Sequence, residues 1–369
     1  MLIKFVNLKK DYSQNKSLFF EAINEVGKDA DFILGKSVSK FEKSVCEYLK
    51  IKHCVTVGNG TDALILALKC LGIKKGDEVI VPVNSFIASA AAVVACGATP
   101  IFVDICACLN LDILEVEKKI TKKTKVIMTV PYAGRPISSM SYLKKIAKTN
   151  NIKIVEDAAQ SFGASFEEKY AGTFGDIGCF SLHPLKNFNV FGDGGLIVTN
   201  NKNYYTKLLK LRNLGLKNRA EASIYGVNSR LDSIHAAYAL KKIKYIKKFN
   251  LKMNNIGNLY NKKLSSFFIV PIVEKEIMHI YHRYIVICKK NRKDLMDFLY
   301  KRGIETKIHY PVLLSKMQCY KNIFKKKEKF RVAEYYSKRM LSLPLNIYMS
   351  GREMNYIFNS IKFYYSGKN

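Results

Sequence analysis

Short apolar runs alternating with stretches of helical spacing constrain this chain more than any other feature of its sequence. The runs are HCVTV (53–57), EVIVPV (78–83), TPIFVDI (99–105), KVIMTV (125–130), IKIVED (152–157), GCFSL (178–182) and GLIVTN (195–200). Several are continuously apolar, as strands buried on both faces of a mostly parallel sheet are. Between them lie amphipathic stretches such as TDALILALKCLG, where Leu64, Ala67, Leu68 and Leu71 fall at i, i+3, i+4 and i+7. The alternation predicts an α/β fold, an open and mostly parallel sheet with helices on both faces. Ligands of such sheets bind beyond the carboxyl ends of the strands. The residues just after each strand are therefore the candidates for chemistry.

After about residue 200 the rhythm changes. Lysine-rich helical segments span 203–217 and 231–265, followed by a strand RYIVICK, a helix RKDLMDFLYKRG and an extended ETKIHYP. The expected division is a large α/β domain over 1–250, including an N-terminal helical segment, and a smaller α+β domain over 251–369. A chain of 369 residues is long enough for both.

Lys and Arg number 61 against 30 Asp and Glu, a formal net charge of +31. Nucleic-acid binding feeds on phosphate neutralisation. Yet the lysines come in twos and threes, with no zinc finger, RNP pattern or basic zipper beside them. The charge reads as solvated faces, and no nucleic-acid partner is expected. The start, MLIKFVNLKKDY, lacks a signal-peptide pattern. The longest apolar run, FIASAAAVVACGA (86–98), is too short to span a bilayer. Nine cysteines without a CxxC pair suit a reducing compartment. These features lead to the expectation of a cytoplasmic protein with no membrane partner. Six dispersed histidines form no ligand spacing, so no metal site is expected.

Three stretches after strands carry chemistry. GNGTDAL (58–64) runs straight into a helix; Gly60 lets the backbone approach a ligand, and free N–H groups at a helix start attract an anion. Thr61 can be both an N-cap of that helix and a hydroxyl donor to phosphate, the plainer alternative being a turn with an N-cap. In EDAAQ (156–160), a carboxylate at the end of a buried strand is costly unless it meets a positive partner. That partner is a cationic ring nitrogen, or the carboxylate merely caps the next helix. In FSLHPLKNFNVFGDGG (180–195), Lys186 lies in an apolar loop just past a strand. Either desolvation makes its free amine easier to expose, or it is one more snorkelling lysine. A phosphate cradle, a ring-nitrogen carboxylate and a lysine 29 residues beyond it, with Phe86 supplying an aromatic face, are what pyridoxal phosphate requires. The lysine condenses with the aldehyde, and Asp157 keeps the ring nitrogen protonated.

On these stretches, together with FILGKSVSKFEKSVCEYL, GATPIFVDI, RNLGL, GVNSRLDSIHAA and GIETKIHYP, the chain resembles the DegT/DnrJ/EryC1/StrS family of pyridoxal-phosphate-dependent sugar aminotransferases. The resemblance runs from about residue 3 to LSLPLN at 341–346. It implies the aspartate-aminotransferase-like fold (PLP fold type I) and a homodimer with shared active sites. It implies that Lys186 bonds to the cofactor, Asp157 pairs with the pyridine nitrogen, Gln160 bonds the phenolic oxygen and Phe86 stacks on the ring. Gly60, Thr61 and Ser181 would bind the phosphate, and Asn228 would reach the phosphate of the neighbouring subunit, with Arg230 beside it. The implied reaction moves an amino group, with L-glutamate as donor, to a nucleotide-linked keto sugar. A keto cyclitol is the alternative acceptor.

Some family members replace the lysine by histidine and dehydrate sugars instead; here the lysine is present and His183 lies three residues earlier, which favours transamination. A DNA-binding regulator that keeps the fold without catalysis is a remote alternative. Three departures stand out: Leu214 in RNLGL, the stretch PYAGRP (131–136), and the cysteines of ICACLNLD (105–112). The first two bear on the expected substrate pocket.

Overall fold

The apolar runs become the strands of one sheet. In the computed structural model, which describes residues 1–320 and 328–367, the chain opens with α1 (Leu8–Asp29) and α2 (Lys36–Leu49). The alternating part follows as β1 (His53–Val57), α3 (Gly60–Cys70), β2 (Glu78–Pro82), α4 (Ile87–Ala95), β3 (Thr99–Val103), α5 (Ile113–Lys119), β4 (Thr124–Thr129), α6 (Met140–Thr149) and β5 (Lys153–Asp157). A hairpin of β6 (Ser165–Phe166) and β7 (Lys169–Tyr170) precedes β8 (Ile177–Ser181) and β9 (Gly195–Thr199). Helices α7 (Lys202–Leu211) and α8 (Ser233–Leu264) lead into β10 (Phe268–Ile269), β11 (Ile277–Met278) and β12 (Tyr284–Cys288). The chain ends with α9 (Arg292–Lys301), α10 (Arg331–Ser337), β13 (Met340–Leu343) and α11 (Gly351–Tyr365).

The large sheet has the order β1-β9-β8-β5-β4-β2-β3. Only β9 runs antiparallel to its neighbours; the other pairs are parallel. The carboxyl ends of six strands therefore share one edge, and the amino end of β9 joins them there. Alternate residues of the central strands feed opposite cores, as the pleat requires. Val79, Val81, Val126 and Val155 pack with α3 and α4, while Ile80, Ile127 and Ile154 pack with α5 and α6. Near β1 the second face is covered by α1, α2 and α8, through Phe41, Val45, Ala237 and Ile246. Within α3, Leu64, Ala67 and Leu68 are buried and Leu71 falls on the C-cap.

Two details cut across the expected division at residue 250. Helix α8 is continuous for 32 residues. Its first half packs in the large domain's core, and its second half, Met253 to Leu264, packs in a separate core with β12, α9 and α11. The N-terminus also belongs to that second core: Ile3 bridges Ile304 and is fully covered. The stretch ETKIHYP forms no strand and makes one bridge, Lys307 to Ser342 beside β13.

A buried ion pair ties the outer strand to its helices. Arg212, at the end of α7, donates to Glu42 of α2 at 2.5 Å and to the carbonyl and hydroxyl of Thr56 in β1. The same Glu42 oxygen accepts from the backbone N–H and the hydroxyl of Thr56. Removing one member leaves the other charge buried without a partner. Glu42→Ala is expected to destabilise the fold by about 3–5 kcal/mol, seen as a lower urea midpoint; an unchanged midpoint contradicts the assignment.

Candidate active site

The shared strand edge opens onto a cavity of about 640 Å³. Gly60 and Thr61 after β1, Phe86 after β2, Asp157 and Gln160 at the end of β5, and Ser181 and Lys186 after β8 all line it. Seven of the eight expected site residues are thus brought together by the sheet topology. Asn228 is the exception. It is exposed, bridges Asn213 and does not line this cavity.

At one end the cavity meets the N-terminus of α3. Asn59 is the N-cap, its side chain accepting from the Asp62 N–H at 2.8 Å. Thr61 is therefore not the cap but lies in the first turn, one residue after Gly60. A Cβ placed on Gly60 would lie 2.7 Å from Cβ of Ser181, so glycine is required for the helix start to approach the β8 end. Ser181 Oγ accepts from the His183 N–H at 3.3 Å. Helix-start N–H groups with an adjacent hydroxyl form an anion site.

Asp157, on the same cavity, is buried. Its Oδ2 accepts from Ser89 Oγ at 2.6 Å, and Ser89 is in turn 2.6 Å from Ser85 Oγ. Burial raises the Asp157 pKa, opposed by the Ser89 hydrogen bond and by the charge of Lys186. Glu156 points the opposite way and is separately satisfied by the N–H groups of Gly172, Phe174 and Gly175 at 2.6–2.8 Å. Strand alternation thus gives the paired acids of EDAAQ different duties.

Burial lowers the Lys186 pKa to about 8; Asp157 works against that shift and Arg283 adds to it. The loop around it is clamped on both sides. Asn187 donates to the Phe162 carbonyl at 2.8 Å and to Asn250 of α8 at 3.2 Å. Asn189 donates to the Pro184 carbonyl at 2.6 Å and to Asp11 of α1 at 3.3 Å, and accepts from Lys242 of α8. Lys242 also stands 3.8 Å from Asp11. The lysine is held on a fixed loop rather than on a free surface.

Gln160 Oε1 accepts from the Ala133 N–H at 3.0 Å, which leaves its amide NH₂ as donor toward a ligand. Phe86 is half-exposed on the rim, its ring 5.8 Å from that of Tyr310. His183, Asp193, His282, Arg283, His309 and Tyr310 also line the cavity. None of these six, nor Ser89, was expected as a site residue. Ser89 carried one signal, a hydroxyl inside the apolar helix IASAAAVVA; Arg283 and His282 carried none.

The departures fall outside the cavity lining. Ala133 acts through Gln160, and Arg135 is buried against Glu274 at 2.6 Å. Leu214 is exposed on the loop that carries Asn228. Cys106 and Cys108 are paired as a disulfide, and the other seven cysteines are free. Among the described residues no cluster suits a metal ion, and no helix is long and apolar enough to cross a membrane.

An anion cradle, a buried carboxylate and a desolvated amine around one cavity fit pyridoxal phosphate, and the fold and site together define a pyridoxal-phosphate enzyme of the aspartate-aminotransferase-like type. The comparisons with known proteins agree. The chain belongs to the DegT/DnrJ/EryC1/StrS aminotransferase family, whose profile matches residues 13–362. It is 36% identical over 366 residues to the dTDP-3-amino-3,6-dideoxy-alpha-D-galactopyranose transaminase of Aneurinibacillus thermoaerophilus, covering 98% of this chain and 99% of that one. The crystal structure of DesV from S. venezuelae superposes with a TM-score of 0.95 at 32% identity, covering all of both chains. NtdA from Bacillus subtilis, solved with bound cofactor PMP, superposes with a TM-score of 0.92 at 28% identity, covering 98% of this chain and 84% of that one.

Gly60→Ala is expected to leave the fold intact and to weaken cofactor binding about tenfold or more, a loss of at least about 1.4 kcal/mol. Absorbance titration of the apoprotein with pyridoxal phosphate measures it, and unchanged affinity contradicts the cradle.

Proposed function

We propose that this enzyme transfers an amino group from an α-amino acid, L-glutamate being the expected donor, to the keto carbon of a nucleotide-linked sugar. The observation that carries the reading is the placement of the Lys186 amine and the Asp157 carboxylate on one cavity at the ends of adjacent strands, in a chain of this family. The transaminase of dTDP-3-amino-3,6-dideoxy-galactose covers nearly the whole chain, which supports a nucleotide sugar as acceptor.

Pyridoxal phosphate supplies the electron sink that acidifies the carbon next to the transferred nitrogen. The protein's residues do the rest. Gly60, Thr61 and Ser181 would hold the phosphate, and Phe86 would cover the ring. Asp157, held by Ser89, would pair with the ring nitrogen and keep it protonated, a partner for a buried carboxylate that burial otherwise pushes toward its neutral form. Gln160 donates to the phenolic oxygen. Lys186 takes the proton from the donor's α-carbon and returns it on the other side of the exchange, acting as base and then acid. A pKa of about 8 suits that double role near neutrality.

The reading includes a homodimer in which Asn228 serves the neighbouring protomer's phosphate. What supports this is the exposure of Asn228 together with Leu214 and Tyr225 on the same loop, and of Phe86 and Leu185 on the cavity rim.

Lys186→Ala is expected to abolish amino transfer. Wild-type protein mixed with L-glutamate loses its visible cofactor band and yields 2-oxoglutarate, and a keto nucleotide sugar restores the band; the variant does neither. A variant that still turns over overturns the reading.

A further inference from the structure

The chain buries several cations, and three of them stand within 4.0 Å of a carboxylate. Arg135 meets Glu274 at 2.6 Å, Arg212 meets Glu42 at 2.5 Å, and Lys242 meets Asp11 at 3.8 Å. Arg283, just before β12, is different. Its guanidinium is largely withdrawn from water, yet among the described residues no carboxylate lies within 4.0 Å of it. The side chain donates to the His282 carbonyl at 3.2 Å and lies over the Phe5 ring at 5.4 Å. Its other neighbours are the phenols of Tyr132 and Tyr310. A desolvated guanidinium with neutral neighbours is costly, and the cost is recovered when an anion arrives.

Arg283 lines the active-site cavity beside Lys186, His309 and Tyr310. The charges of Arg283 and Lys186 act on the same two imidazoles. Burial first, then these cations, drive His282 far below its usual range and His309 to about 3. Both rings therefore stay neutral, and neither adds charge to this end of the cavity. The anion it receives must be one that accompanies the reacting nitrogen, because Lys186 is the reacting amine. In the reading above the cofactor's phosphate is already taken by the start of α3, at Gly60, Thr61 and Ser181. In a nucleotide sugar the diphosphate sits on the anomeric carbon, bonds away from the carbon that gains nitrogen. In an α-amino acid, the carboxylate is attached to the very carbon that carries the nitrogen.

We infer that Arg283 is the binding residue for the α-carboxylate of the amino donor, and so restricts the donor to α-amino acids. The inference rests on the aminotransferase reading above. A planar guanidinium grips a carboxylate by two parallel N–H···O bonds, which a lysine at the same place cannot reproduce.

The test uses the holoenzyme with three forms of position 283: wild type, Arg283→Gln and Arg283→Lys. Binding of α-methyl-L-glutamate, which keeps the carboxylates but has no α-hydrogen to lose, is followed by the cofactor spectrum. Binding of UDP, GDP and dTDP is followed by calorimetry. The expected result is a loss of α-methyl-L-glutamate affinity of at least about thirtyfold in Arg283→Gln, partly recovered in Arg283→Lys. Affinity for the nucleoside diphosphate that binds wild type stays within about twofold, the additive scatter of an unconnected site. Unchanged α-methyl-L-glutamate affinity, or a loss confined to the nucleoside diphosphate, overturns the assignment. Equal losses of both ligands in the two variants indicate a structural role and also overturn it. A wild-type spectrum that ignores L-glutamate altogether overturns the aminotransferase reading, and this inference with it.

Discussion

One buried amine facing one buried carboxylate is the constraint on which the rest of this structure depends. Burial pushes Lys186 down to about 8 and Asp157 upward, and each charge partly offsets the other's desolvation. Neither shift arises on an open surface. The lysine must sit on a loop that cannot swing into water, and the aspartate must end a strand inside the sheet. The first condition is met by α8 and α1, whose Asn250, Lys242 and Asp11 hold Asn187 and Asn189, one and three residues after the lysine. The second is met by β5, which pairs with β4 on one side and β8 on the other.

The treatment of charge separates scaffold from site. Away from the cavity, buried charges are answered within the fold: Glu156 by three backbone N–H groups, Arg212 by Glu42, Arg135 by Glu274. Around the cavity they are left partly unanswered. Among the described residues Asp157 has no cation and Arg283 no carboxylate within 4.0 Å, so the reacting region is arranged for charged groups brought by cofactor and substrates. The formal +31 of the chain is a separate matter, because most of those cations are solvated and shape no site.

Much of this was legible in the sequence, for identifiable reasons. A continuously apolar strand such as GLIVT admits few alternatives, so the seven large-sheet strands fall within two residues of their expected ends. The meeting of the site residues on one cavity was legible because the sheet rule sends residues after the strands to one edge, and Gly60, Phe86, Asp157 and Ser181 obey it. What failed was decided by neighbours distant in sequence or by single-residue choices. The cap of α3 is Asn59 rather than Thr61 because Asn59 alone turns its side chain to the Asp62 N–H. Arg283 and His309 enter the cavity from the second core, and no local pattern relates them to Lys186. Helix α8 carries one apolar stripe through two cores, so its pattern contains no break to mark a boundary. The pairing of Cys106 with Cys108 follows from a tight loop that the C-x-C spacing alone does not specify.

The central claim is that one amine in a chain with 61 lysines and arginines is chemically unlike the others. Reducing the pyridoxal-phosphate-loaded protein with borohydride and mapping the modified peptides by mass spectrometry tests this directly. The account predicts a single pyridoxyl group per chain, on Lys186. Label spread over several lysines, or concentrated on any other one, would contradict it.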